Sequence, residues 1–219
     1  MRRPARRLAL MAVIFVTLPT AARAQACLGS VSFARVPVRI GGGAIFGKDY
    51  TAYAASLIAG KENAAFGAVG VSRTYIDDVD DTADDIFVEL GYQKPVGTRA
   101  QLCPVVGASV GTGPDDFGDL KSRFASAGLA LGLTFHPTAS AKIIPNGSLR
   151  FEYAASDVTD PTLGKLTFTD NFGVADFGLG LIFFNDRLAL QPTVQFPFAA
   201  DDNAVSYGLV ISLGVGLKR

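Results

Sequence analysis

The side chains able to do chemistry are few and unevenly placed. His136 is the only histidine, and Pro137 follows it. A hydrolytic site needs a histidine within reach of a serine and an acidic or amide partner. Ser140 is close in sequence, but no spacing ties it to His136 as a nucleophile. No zinc-type ligand cluster is present. An acidic run, DDVDDTADD, places six carboxylates between Asp77 and Asp85. Calcium takes six to eight oxygens, so Asp77, Asp78, Asp80, Asp81 and Asp84 are the weak metal candidates. The run lacks the EF-hand spacing and its distal Glu, and reads first as a solvated loop that attracts Ca or Mg only loosely. No other cofactor is expected, and no catalytic residue is assigned.

The remaining charged candidates lie inside alternating stretches. In RFASAGLALGLTFH (123–136), Ala125, Ala127, Leu129, Leu131, Leu133 and Phe135 alternate with Ser126, Gly128, Ala130, Gly132 and Thr134. A period of two is that of a β-strand. Near the end of the chain Val205, Tyr207, Leu209, Ile211, Leu213, Val215 and Leu217 alternate with small or mostly small residues. A bulky face opposite a small, uncharged one suits a narrow barrel with lipid outside. Ten segments carry this alternation: 36–46, 51–60, 64–76, 85–95, 100–111, 123–136, 144–156, 168–184, 187–199 and 204–217. Eight strands are the alternative, because the first two segments are weakest. On the inward parity lie Arg39, Glu89, Gln93, Arg150, Glu152, Asp176, Gln191 and Gln195. Buried charge must pair or meet water. Arg39, Glu89, Arg150, Glu152 and Asp176 are therefore expected to form a charged network that fills the lumen, with a narrow hydrophilic pore as the alternative. Arg73 resists the pattern. It has lipid-facing parity between Val71 and Tyr75, so it must lie near the rim or follow a bulge.

The chain of 219 residues opens with MRRPARR, a short apolar core from Leu8 to Leu18, and small-x-small sites around Ala24. This is the pattern of a secretory signal, too short to span a membrane. The expected organisation is a signal peptide at 1–26, an N-terminal periplasmic segment at 27–35 and a barrel domain at 36–219. Without the five arginines ahead of Cys27, the 20 Lys and Arg become 15 against 20 Asp and Glu. That acidic balance argues against nucleic acid as a partner. In an exported chain Cys27 and Cys103 are expected to pair. The rival reading makes Cys27 a lipidated N-terminus.

Short and long connections largely alternate. Asp77, Asp78, Asp80, Asp81, Asp84, Asp115, Asp116, Asp119, Asp157, Asp160, Asp201 and Asp202 fall in the set expected outside. Lys61, Lys94, Arg99, Lys142, Arg187, Lys218 and Arg219 fall at the opposite rim. Outward aromatics sort into two bands: Tyr75, Phe198 and Tyr207 above, Tyr92, Phe135 and Phe183 below. In these features the chain resembles the small bacterial outer-membrane β-barrels, the OmpA-like and OmpX-like group. It departs from them in ending Leu217-Lys218-Arg219, where an aromatic is common. The resemblance implies an all-β, up-and-down antiparallel transmembrane barrel, integral to the bacterial outer membrane. It also implies outer-membrane lipid, lipopolysaccharide and the barrel insertion machinery as partners, with a monomeric barrel. The expected role is structural or in interaction, with a plugged or narrow lumen and no enzymatic activity. A small passive porin-like channel is the alternative, and a soluble periplasmic lipocalin-like binder, with its bulky face inside, is a third reading.

Overall fold

A computed structural model describes residues 27, 29, 33, 36–77, 82–113, 120–138, 140–160, 164–199 and 204–216. The expected signal peptide lies outside them. The strands are β1 (Val38–Phe46), β2 (Tyr50–Gly60), β3 (Ala65–Ile76), β4 (Thr82–Tyr92), β5 (Lys94–Val96), β6 (Ala100–Thr112), β7 (Lys121–Leu133), β8 (Lys142–Asp160), β9 (Gly164–Phe183), β10 (Leu188–Phe198) and β11 (Ser206–Val215). Each pairs antiparallel with its sequence neighbour, except that β4 and β5 both pair with β6, and β1 pairs with β11 to close the ring. β4 and β5 are two pieces of one stave. Gly91 faces Val105 and Lys94 faces Leu102 in a single register along β6. Pro104 sits at the break and has no N–H to give the ladder. The result is a closed ten-strand antiparallel barrel.

The staves are tilted. Val38 starts at the lower end of β1, and successive partners run through Ala59, Gly67, Leu90, Val106, Ala127, Phe151 and Gly173 to Phe198 at the upper end of β10. A row of hydrogen-bonded partners that climbs in this way is the stagger closure demands.

The burial pattern is inverted relative to a soluble protein. Large apolar side chains such as Leu57, Val69, Val88, Leu129, Leu149, Ile211 and Leu213 stand exposed on the outer wall. Buried polar residues include Arg39, Gln93, Gln101, Glu152 and Ser212. Such an apolar exterior far exceeds the isolated patches of soluble monomers, and it overturns the lipocalin-like reading, which needs the bulky face inside.

Two expectations are corrected. The connection read at 157–165 shrinks to 161–163, because β8 and β9 continue pairing from Asp157–Thr167 to Asp160–Gly164. This hairpin has 19 and 20 residues in its two strands, against 9–13 in the other long strands. It therefore projects past its neighbours. In the aromatic bands, Tyr75, Phe198, Tyr207 and Tyr92 are exposed on the wall as expected. Phe135 and Phe183 are only half-exposed. Phe184, in the β9–β10 turn, is exposed beside Phe183.

The cost of a charge on the wall depends on its depth. Ile211 lies mid-strand opposite Gly42, and Val215 lies at the lower end opposite Val38. In denaturant titrations of bilayer-inserted protein, Ile211→Arg is expected to cost about 2–4 kcal/mol and Val215→Arg about 0–1 kcal/mol. Equal costs would contradict the placement.

Candidate functional site

The lumen holds the candidate site, in three layers. The middle layer is built on β8 and β9. Arg150 donates through Nη2 and Nε to Asp176 Oδ2, at 2.9 and 3.1 Å. Its Nη1 lies 3.7 Å from Glu152 Oε1. Ser148 donates to the same Asp176 oxygen at 2.6 Å. Glu89 reaches in from β4 and lines a cavity of about 270 Å3 with Arg150, Asp85, Phe87 and Phe124. One guanidinium thus faces three carboxylates. Gly128 makes room for it, since a Cβ there would lie 2.7 Å from Arg150 Cγ.

The predicted single network is in fact two. Arg39 points inward as expected, but it sits at the lower end between β1 and β11. Its Nε donates to Ser212 Oγ and its Nη1 to the carbonyl of Asp186, both at 3.2 Å. Asp186 is clamped by Lys142, with Nζ–Oδ1 at 2.6 Å and Nζ–Oδ2 at 2.8 Å. Ser148, Ser212, Lys142 and Asp186 are contributors that sequence reasoning missed. Lys142 and Asp186 are 44 residues apart, and only the register of β8 on β9 brings them together.

The third layer is the N-terminal segment. A disulfide joins Cys27 to Cys103 with their Cα atoms 6.0 Å apart. Phe33 is 2 % exposed and packs on Phe66, with ring centroids 6.3 Å apart. The Gly29 carbonyl fills the space where a Cβ on Gly180 would lie, and Asn146 and Gln191 also crowd Gly29. Val36 packs where a Cβ on Gly214 would project. Cys27, Phe33, Phe66, Cys103, Val105 and Ala130 form one buried apolar cluster at the lower end of the barrel.

His136 lies outside the strands beside this rim. Partial burial and the nearby Lys142 hold its imidazole below the usual histidine range, with Arg99 acting the same way and Asp186 opposing them. Among the described residues no serine is hydrogen-bonded to it. Of the acidic-run candidates, Asp78, Asp80 and Asp81 lie outside the described residues. Asp77 is exposed. Asp84 faces outward, where Arg73 holds both its oxygens, Nε–Oδ1 and Nη2–Oδ2 at 2.7 Å each. The pair occupies regular register between β3 and β4, so no bulge resets Arg73, and Asp84 is better explained as its partner than as a metal ligand. Among the described residues no group of three or more His, Cys, Asp or Glu is placed to hold a metal ion.

No family model matches the sequence, and no curated protein matches it. Solved structures of similar outline are membrane barrels. The N-terminal β-barrel domain of Pseudomonas aeruginosa OprF is 11% identical over 81% of this chain and 96% of its own, with a TM-score of 0.34. KdgM porin in complex with disordered oligogalacturonate is 9% identical over 81% and 99%, with a TM-score of 0.41. The outer membrane protease OmpT from Escherichia coli is 8% identical over 82% and 93%, with a TM-score of 0.38. Likeness at this level assigns neither family nor activity, and the architecture rests on the strand pairing.

Removing one partner of a buried charge cluster leaves the others uncompensated. Arg150→Met is therefore expected to destabilise the folded barrel by about 3–5 kcal/mol, read from unfolding midpoints. An unchanged midpoint would show that Glu89, Glu152 and Asp176 do not depend on Arg150. By its closed pairing, its inverted burial and its polar interior, the chain is a ten-strand up-and-down β-barrel of transmembrane type.

Proposed function

We propose that the chain is an integral, monomeric outer-membrane barrel whose lumen is sealed, so that it serves a structural or interaction role in the envelope rather than passage of solutes. The apolar wall supports insertion, since a closed barrel is the only β-architecture whose backbone groups are all satisfied within lipid. The export signal and an even number of staves support placing both ends of the barrel in the periplasm, with the projecting β8–β9 hairpin outside. Insertion would then proceed through the cell's barrel insertion machinery. The observation that carries the sealed-lumen reading is the N-terminal segment, tied by Cys27–Cys103 and wedged by Phe33 and Gly29 into the lower mouth. Above it, Arg150 points into the lumen, paired with Asp176 and Glu152 and facing Glu89 of β4 across a small cavity. A ten-strand barrel is only a little wider than the eight-strand kind that side chains fill.

Planar-bilayer recording tests this reading. The intact protein is expected to show no discrete current steps. A form lacking residues 27–35, with Cys103→Ser to leave no unpaired thiol, is expected to show them. Regular single-channel steps from the intact protein would instead favour the passive-channel alternative.

A further inference from the structure

The lower end of the barrel is positively charged, and the chain places too few acids there to balance it. The described cations are Arg39, Lys61, Lys94, Arg99, Lys142 and Arg187, at the feet of strands or in the turns between them. The only acids at that end are Glu62 and Asp186. Every other Asp and Glu falls in the middle or upper part of a strand, or in a connection between upper strand ends. Residues 1–35 and 216–219 contain no acid. Lys142 takes Asp186, and Arg39 is bound by Ser212 and the Asp186 carbonyl. Among the described residues Lys61, Lys94, Arg99 and Arg187 make no ion pair. Four unpaired cations thus share this rim with one acid, Glu62. The excess is felt at His136, where burial first, then Lys142 and Arg99 against Asp186, hold the imidazole below its usual range.

Two of the four cations stand on the lipid-facing side. The Lys61 N–H donates to the carbonyl of Ala65 at 3.2 Å, and Ala65 is the partner of Tyr92. Tyr92 is exposed on the wall, so Lys61 and Tyr92 share its lower edge. Lys94 is exposed and is the partner of Leu102, which faces the outward Leu131. An exposed aromatic, Phe184, stands three residues before Arg187. Cations beside aromatics at the edge of an apolar band are placed at headgroup level, with their stems along the wall. A soluble polyanion would need the cations gathered at the mouth, whereas Lys61 and Lys94 point away from it. We propose that this rim is a docking surface for anionic phospholipid in the leaflet at the lower end of the barrel, the periplasmic leaflet in the topology above. Lys61 and Lys94 flank Tyr92 and take the phosphates of the lipids packed against the wall, while Arg99 and Arg187 add to the attraction from the turns. A zwitterionic phospholipid carries no net charge to meet them.

This inference rests on the membrane reading above, and the experiment separates the two. The protein is purified in detergent and titrated with phosphatidylglycerol or phosphatidylethanolamine, with bound lipid counted by native mass spectrometry. A basic side chain at an anionic surface strengthens attachment about fivefold, so the wild type is expected to hold phosphatidylglycerol at least ~10-fold more tightly. Lys61→Gln with Lys94→Gln should lower that preference several-fold. Lys48→Gln with Lys165→Gln removes the same charge at the upper end and should leave the preference within about twofold. A lower-end double variant that loses heat-modifiable gel mobility has not folded, and Lys94→Gln alone then replaces it, with a loss of about fivefold expected. Equal retention of the two lipids would overturn the proposal, as would equal losses in the upper and lower variants or no loss in a folded lower variant. Co-sedimentation with purified cell-wall polymer, without any preference between the lipids, would also overturn it. Vesicle flotation reports on the membrane reading alone. A barrel that floats with vesicles yet shows no lipid preference refutes the docking surface and leaves the membrane reading standing.

Discussion

Closure of the strand ring is the interaction on which the rest depends. Inside a bilayer no water satisfies a free N–H or C=O, so an open sheet edge is not tolerated. The seam is the pairing of β1 with β11, which runs nine residues from Val38–Val215 to Phe46–Tyr207. Three glycines, Gly41, Gly42 and Gly43, lie in the middle of that seam. A Cβ on Gly43 would press on the backbone of β11, within 3.2 Å of Val210 Cα. The weak strand signal of the first segment thus reflects the need for close approach at the seam. What weakens β1 as an isolated strand lets the barrel close.

Closure also dictates where polarity goes. With the outer wall given over to Leu, Val, Ile and aromatic residues, the charged side chains must be handled inside or at the rims. Arg150 is balanced by acidic neighbours on β4, β8 and β9. Arg39 is bound by Ser212 and the Asp186 carbonyl, and Arg73 outside is held two-toothed by Asp84. The fork-to-fork geometry of the last pair is what makes an outward arginine tolerable. The lower mouth is managed differently, by apolar packing of Phe33 on Phe66 and a covalent tie to Cys103.

Much of this was legible in the sequence, for a definite reason. Side-chain period two is strictly imposed wherever one face meets lipid and the other a crowded interior. Both faces of β7 and β11 can therefore be read directly, and with them the inward parity of Glu89, Arg150 and Asp176. The signal fails where water replaces lipid. Asp157 to Lys165 looks like a loop because the projecting β8–β9 hairpin needs no apolar face, so its residues do not alternate by hydrophobicity. Cross-strand partners were invisible for another reason. Arg73–Asp84 and Lys142–Asp186 depend on exact register, and a slip of one residue sends each side chain to the opposite face. The break between β4 and β5 carried a readable clue in Pro104, but only once its partner was known. The docking of Phe33, Gly29 and Val36 had no periodic signature, since these residues pack singly against side chains and backbone of the barrel.

The central claim is that the apolar wall of a closed barrel faces lipid. Fractionation of the cell envelope followed by gel mobility with and without boiling tests it most directly. The account predicts that the protein stays with the membrane through salt and alkaline washing and leaves only in detergent. It also predicts that the unboiled, unreduced form migrates apart from the boiled one, because a closed barrel resists unfolding in the gel. Release into the salt wash, with one mobility before and after boiling, would contradict it.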